Sequence, residues 1–239
     1  MTRHTRPLPP TAGVTLMELL VSISLLSLLS VGMLFAIRIG MNSMQKANAR
    51  LMSNRKVMGV DKIFAEQLAG FMPVKADCPG PPVVAISFFQ GEPDTMRFVS
   101  SYSLQEGTRG YPRILEYHVI PGEQGRGVRL IVNEILYTGP LSTGRICTAA
   151  LPVPQFLPVE IGSFSFVLAD KLAYCRLIYK EVIPDTTIER WIPKWIKPTP
   201  PLAIRIEMGP LEPDPAQLQL LDVTAPIRVN RNIMTRYTD

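Results

Sequence analysis

Between Val14 and Ile37 the chain is apolar without a break. Hydroxyl and small residues punctuate the run, and its only charge is Glu18. As a helix at about 1.5 Å per residue, this stretch measures roughly 36 Å, enough to cross a bilayer. The pattern then changes. Met41, Met44, Leu51, Met58, Ile63, Phe64, Leu68, Phe71 and Met72 recur at spacings of three, four and seven, while Lys46, Arg50, Arg55, Lys56, Lys62 and Glu66 fall mostly elsewhere. Such spacing predicts an amphipathic helix ended by Pro73, continuous with the apolar one. Beyond it the period drops to two. Residues 83–89 form a buried-type apolar run, and residues 95–101 follow a turn of Gly91, Pro93 and Asp94. Residues 113–120 place Leu115, Tyr117 and Val119 on one face and Glu116 and His118 on the other, the exposed one. Val128, Leu130 and Val132 alternate in the same way after the turn at 122–127, which predicts a hairpin. Further strands are expected over residues 159–168, 174–182, 202–208 and 218–229, with a loose tail after Val229. Alternation of this kind marks an antiparallel sheet with one buried face. The expected fold class is α+β: a long N-terminal transmembrane and amphipathic helix packed on an antiparallel sheet.

The segment ahead of the apolar run changes the reading of that run. Residues 1–13 carry Arg3, His4 and Arg6 without an acid, and Pro7, Pro9 and Pro10 oppose a helix there. Cations before an apolar span hold the N-terminus in the cytoplasm. A secretory signal has a shorter core and a small-residue cleavage site after it; here the small residue, Gly13, stands before the run. A charge within hydrocarbon costs at least about 2.5–3.5 kcal/mol, so Glu18 is by default a functional residue.

Gly13 followed by Val14-Thr15-Leu16-Met17-Glu18-Leu19-Leu20-Val21 resembles the processing motif of type IV prepilins. That family has a short basic leader ending in Gly and a Glu at the fifth mature position. It usually has Phe where this chain has Val14. The resemblance implies that a prepilin peptidase cuts between Gly13 and Val14 and methylates the new amine of Val14. It also implies a pilin-like division: a cleaved leader over 1–13, a transmembrane part over 14–37, an amphipathic periplasmic half over 38–72 and a β-rich periplasmic domain over 73–239. In a filament of this family the glutamate of one subunit neutralises its neighbour's amine. Glu18 would then fix assembly register more than it adds stability, the best-attested use of buried ion pairs. The alternative is a plain signal anchor holding a periplasmic binding or enzymatic domain.

A second resemblance concerns which member of the class this is. Met96-Arg97-Phe98-Val99 and the stretch from Tyr111 to Val119 look like the strand pair of J-type minor pseudopilins of type II secretion. So does the later order of Val159 to Phe166, a Trp-containing insert with Trp191 and Trp195, and Pro201 to Met208. The Pro-rich insert at 193–201 departs from that pattern, and W-type minor pilins of type IV pili share the outline. The two tryptophans also read simply as sheet cover. The likeness implies a subunit at the tip of a pseudopilus, partnered by other minor and major pseudopilins in the inner membrane. Such a subunit primes filament assembly and contacts secreted cargo.

Composition narrows the remaining classes. The 239 residues fit one span and one domain. The net charge of +5 loses Arg3 and Arg6 with the leader, and no run of five cations appears, so a nucleic-acid stripe is not supported. After leader removal His118 is the one histidine, which supplies a catalytic triad or a His-based metal site poorly. Glu212, Asp214 and Asp170 lack the spacing of a calcium loop and read as solvated acids. No cofactor, metal or catalysis is expected. Cys78, Cys147 and Cys175 allow three single pairings. A bond between the two loop residues, Cys78 and Cys147, is preferred here, beside the alternative of three free thiols with Cys175 as a small core residue.

Overall fold

The computed structural model describes residues 13–149, 154–213, 222–229, 231 and 233–234, and in the first helix it leaves aside the side chains of 49–50 and 52–57. The leader expectations over 1–12, the side chains of Arg50, Arg55 and Lys56, Asp214 and the start of the last strand at 218–221 lie outside the described residues. The chain forms an α+β structure of two compact units, Met1–Leu51 and Met52–Asp239.

Helix α1 runs Leu16–Ala69. In the first unit every described side chain from Val14 to Asn48 is exposed, and the part Leu16–Asn48 is long and apolar enough to cross a membrane. Four of its serines are internally satisfied. Ser22 Oγ donates to the Glu18 carbonyl (2.7 Å), and Ser24, Ser27 and Ser30 each donate to a carbonyl three or four residues back at 2.8 Å.

In the second unit α1 ends earlier than Pro73. Gly70 N–H still reaches the Glu66 carbonyl at 3.0 Å, but a Cβ on Gly70 would fall 2.7 Å from Ser100 Oγ. The close approach that glycine permits lets the chain leave the helix. Phe71–Met72 becomes strand β1, pairing with Ser100 and Val99. The buried helix stripe also differs from the expected one. It consists of Val60, Phe64, Gln67 and Leu68, whereas Met41, Met44, Leu51 and Met58 are exposed.

The remaining strands are β2 (Lys75–Cys78), β3 (Val84–Ser87), β4 (Gln90–Gly91), β5 (Thr95–Ser103), β6 (Thr108–Pro121), β7 (Val128–Leu136), β8 (Cys147–Thr148), β9 (Gln155–Phe156), β10 (Phe166–Val182), β11 (Glu189–Ile192), β12 (Ala203–Pro210) and β13 (Val223–Pro226), with a short helix α2 (Pro140–Gly144) before β8. The main sheet is antiparallel in the order β1-β5-β6-β7-β10-β12-β13, with β4 added on β5 and β11 on β10. The expected hairpin at 122–127 joins β6 to β7, closing at Pro121↔Val128. The expected strands at 159–168 and 174–182 are instead one strand, β10, and residues 159–165 lie outside it. Its polar Asp170-Lys171 step, a turn in the sequence pattern, is a bulge: Lys171 takes φ 54° and the ladder shifts between Ala169 and Leu172.

Over β5 and β6 the sheet buries both faces. On the first, Val60, Phe64, Leu68 and Phe71 pack with Phe98, Leu115, Tyr117, Leu130 and Val132, continuing to Leu177, Tyr179, Ile204 and Ile206. Each such side chain contributes about 1.5–3 kcal/mol by burial. On the second, Ala76, Cys78, Phe88 and Cys147 cover Val99 and Ile114. That cover is built from β2, β3, α2, β8 and β9, and a disulfide joins Cys78 to Cys147 across it, Cα to Cα 5.2 Å. The expectation of one solvated sheet face therefore fails over β5 and β6, where Val99 and Ile114 give the second face an apolar surface of its own, and holds on β10, where Tyr174 and Arg176 are exposed.

Candidate functional site

Gly13, Val14 and Thr15 are exposed and lie outside the helix. A Cβ on Gly13 would meet nothing within 4 Å, and Val14 is 72% exposed. Thr15 begins the helix. Its carbonyl accepts the N–H of Glu18 (3.1 Å) and of Leu19 (3.2 Å), and its Oγ1 accepts Glu18 N–H at 3.3 Å. Thr15 is therefore the N-cap, and Thr15-Leu16-Met17-Glu18 has the spacing of a capping box. The reciprocal half, from the Thr15 N–H to the Glu18 carboxylate, is not made. Glu18 stands in the first turn, where the helix dipole favours an anion. Its carboxylate is exposed and accepts no hydrogen bond from the described residues.

The β-rich unit treats its charged groups differently. Gln90, Arg97, Glu116 and Asn133 are cross-strand neighbours on β4, β5, β6 and β7. They form one polar row on the second face of the sheet, beneath the disulfide-tied cover. Arg97 is 1% exposed. Its Nε donates to Glu116 Oε1 at 2.7 Å and its Nη1 to Gln90 Oε1 at 2.6 Å. Asn133 Nδ2 donates to Glu116 Oε2 (3.3 Å) and to the Glu160 carbonyl (2.8 Å). The Phe156 ring covers the guanidinium at 5.9 Å. His118 lies one row along, half-buried rather than exposed as its alternation suggested, with Nδ1 2.8 Å from Thr95 Oγ1.

A second polar group fastens α1 to the first face. Tyr117 Oη donates to Gln67 Oε1, Ser100 Oγ donates to the Gln67 carbonyl (2.7 Å), and Gln67 Nε2 donates to Glu134 Oε1 (3.3 Å). Glu134 also takes the Ser103 hydroxyl at 2.8 Å and the backbone N–H of Leu104. Burial, and then the Glu134 charge, raise the Tyr117 hydroxyl well above its ordinary pKa. A second buried acid, Glu181 on β10, accepts from Lys197 Nζ and from Arg190 Nε (2.6 Å). Those two bonds, Lys197 first, lower its pKa.

The tryptophans are structural cover in this arrangement. Trp195 is buried, its backbone N–H donating to the Gly91 carbonyl and its Nε1 to the Thr199 carbonyl, both at 2.7 Å. Trp191 lies under the Arg205 guanidinium at 4.2 Å. Cys175 is a free, buried core residue of β10, and burial pushes its thiol up to about 12. Glu212 pairs with Arg126 at 3.2 Å in solvent. Among the described residues no group of three His, Cys, Asp or Glu could hold a metal ion. An open depression of about 340 Å³ is lined by Lys62, Glu66, Tyr102, Gly107, Thr108 and Arg109; its one ion pair, Arg109 with Glu66 at 3.9 Å, is exposed.

The row Gln90–Arg97–Glu116–Asn133 and the role of Gln67 were not expected from the sequence. Arg97 and Glu116 occupy alternate positions that read as solvent-facing. The usable signal was Val99 and Ile114, large apolar residues in phase with them. No protein-family model matches the chain, and no curated protein matches it.

Proposed function

We propose that this chain is a prepilin-like assembly subunit, a minor pseudopilin at the tip of a type II secretion pseudopilus. A prepilin peptidase cuts it between Gly13 and Val14 and methylates the Val14 amine. The helix holds it in the inner membrane, N-terminus cytoplasmic, with the β-rich unit periplasmic. There it joins other minor and major pseudopilins, primes the filament and meets cargo; its work is association rather than catalysis. One observation carries this reading: an exposed, non-helical Gly13-Val14-Thr15 stretch leads directly into a bare apolar helix whose single early carboxylate has no partner from the described residues. A lone carboxylate on such a surface is costly unless a cation meets it on assembly. A Val14 amine from a neighbouring copy of the motif is a cation at the right end of the helix.

The test is the intact mass and N-terminal sequence of the protein recovered from membranes of a host with a prepilin peptidase. Peptidase-null and Gly13→Ala controls accompany it. The expected product starts at Val14 and carries one added methyl, about 14 Da. A chain that still starts at Met1 in the peptidase-bearing host overturns the proposal and returns the β-rich unit to the class of anchored binding or enzymatic domains.

A further inference from the structure

The boundary of α1 falls two residues after the bond proposed for cleavage, and one side chain sets it. An N-cap residue has extended rather than helical backbone, so a helix that begins at Thr15 cannot include Val14 or Gly13. Peptidases act on extended backbone, where carbonyl and N–H are free. Inside a helix those groups are engaged with one another. Among the described residues nothing else near the site holds the boundary. Gly13 has no neighbour within 4 Å of its Cβ position, and Val14 is exposed. The leader's prolines end at Pro10, so they oppose a helix ahead of Thr11 but leave residues 11–14 able to join one, with Thr11 an acceptable N-cap. Alanine at 15, the best helix former, would let the first turn propagate back toward Thr11 and take the scissile peptide with it.

We infer that Thr15 is a positioning residue for processing: by capping α1 through Glu18 N–H it keeps the Gly13–Val14 peptide extended and open to the peptidase. The inference rests on the processing reading above and deepens it. Glu18 takes part only through its backbone N–H, so its carboxylate stays free for a separate role.

The experiment measures initial cleavage rates of the full chain in membranes by purified prepilin peptidase over a range of chain densities. Thr15→Ala should lower the rate by up to about five-fold, the largest fall that the equilibrium shift from losing an N-cap allows. Thr15→Ser should stay within about two-fold of the natural chain, because serine caps as well. The deciding variant is Thr15→Ala with Leu16→Pro. Proline suits the first helical position and pushes the residue before it out of helical backbone, so it restores the boundary without a hydroxyl and should restore the rate. If the natural chain is not cut at all, the processing reading falls. If it is cut and Thr15→Ala is cut equally fast or faster, the capping inference falls alone. If serine rescues and proline does not, the hydroxyl touches the enzyme directly, which also overturns the inference.

Discussion

Two carboxylates, Glu18 and Glu116, show how differently the two units manage charge. Glu116 lies in the sheet interior with each oxygen engaged, one by Arg97 and the other by Asn133. Glu18 lies on a bare apolar helix and accepts no bond from the described residues. The sheet supplies partners for its own ions, and the helix does not. A buried pair contributes little net stability, since desolvation offsets most of the attraction, but removing one member leaves the other stranded. An unpartnered carboxylate on an apolar surface contributes nothing to the fold that holds it. The first arrangement belongs to a self-contained domain, and the second, on the proposed reading, to a surface that a neighbouring subunit completes.

Parallel substitutions can break this comparison. Arg97→Ala should destabilise the β-rich unit by about 3–5 kcal/mol, because Glu116 would remain buried without its cation. Glu18→Ala in the same detergent should change that unit by less than about 0.5 kcal/mol. Urea unfolding of the full chain followed by tryptophan fluorescence reads both. Equal effects would mean that Glu18 has a partner within its own fold.

The cover over the polar row sharpens the comparison next. The disulfide closes a loop of 69 residues, and replacing both Cys78 and Cys147 by Ala should cost about 2–5 kcal/mol, read from the urea midpoint. The loss should be accompanied by faster hydrogen exchange at β2 and β8, with β12 unaffected.

The smallest effect concerns Glu181 and acid. Its folded pKa is depressed by Lys197 and Arg190, so the unfolded chain binds the proton first. Its stabilisation is present above the ordinary glutamate pKa of about 4.3 and fades as pH falls through the lower folded value. Glu181→Gln should therefore flatten part of the acid limb of a stability–pH curve below about pH 4.5, leaving the slope above pH 6 unchanged. An identical acid limb in the variant would show that the two bases do not hold the carboxylate.

Legibility from the sequence followed the strength of the local pattern. The apolar run of α1 and the hairpin at 122–127 were readable because one period, or one Gly-bracketed turn, fixes each. The helix end was not, since Phe71 and Met72 fit a helical stripe as well as a strand, and the decision came from Gly70 meeting Ser100. The bulge in β10 was hidden for a similar reason: Asp170-Lys171 has turn chemistry, and only pairing to β7 and β12 on either side carries the strand through it. The second apolar face is covered by residues of other elements, Ala76, Cys78, Phe88 and Cys147, which alternation within one strand cannot reveal. Glu18 was visible by its spacing from Gly13, but the Thr15 cap was a matter of geometry.

Four serines of α1, Ser22, Ser24, Ser27 and Ser30, bear on how the apolar part of this helix can change neighbours. Each hydroxyl spends its proton on its own backbone, so the helix presents lipid or protein with an almost inert, grease-like surface. Passing it from one apolar solvent to another breaks no hydroxyl contact and favours no rotational setting. On the proposed assembly reading, the electrical work of such a transfer then concentrates on the Glu18 carboxylate.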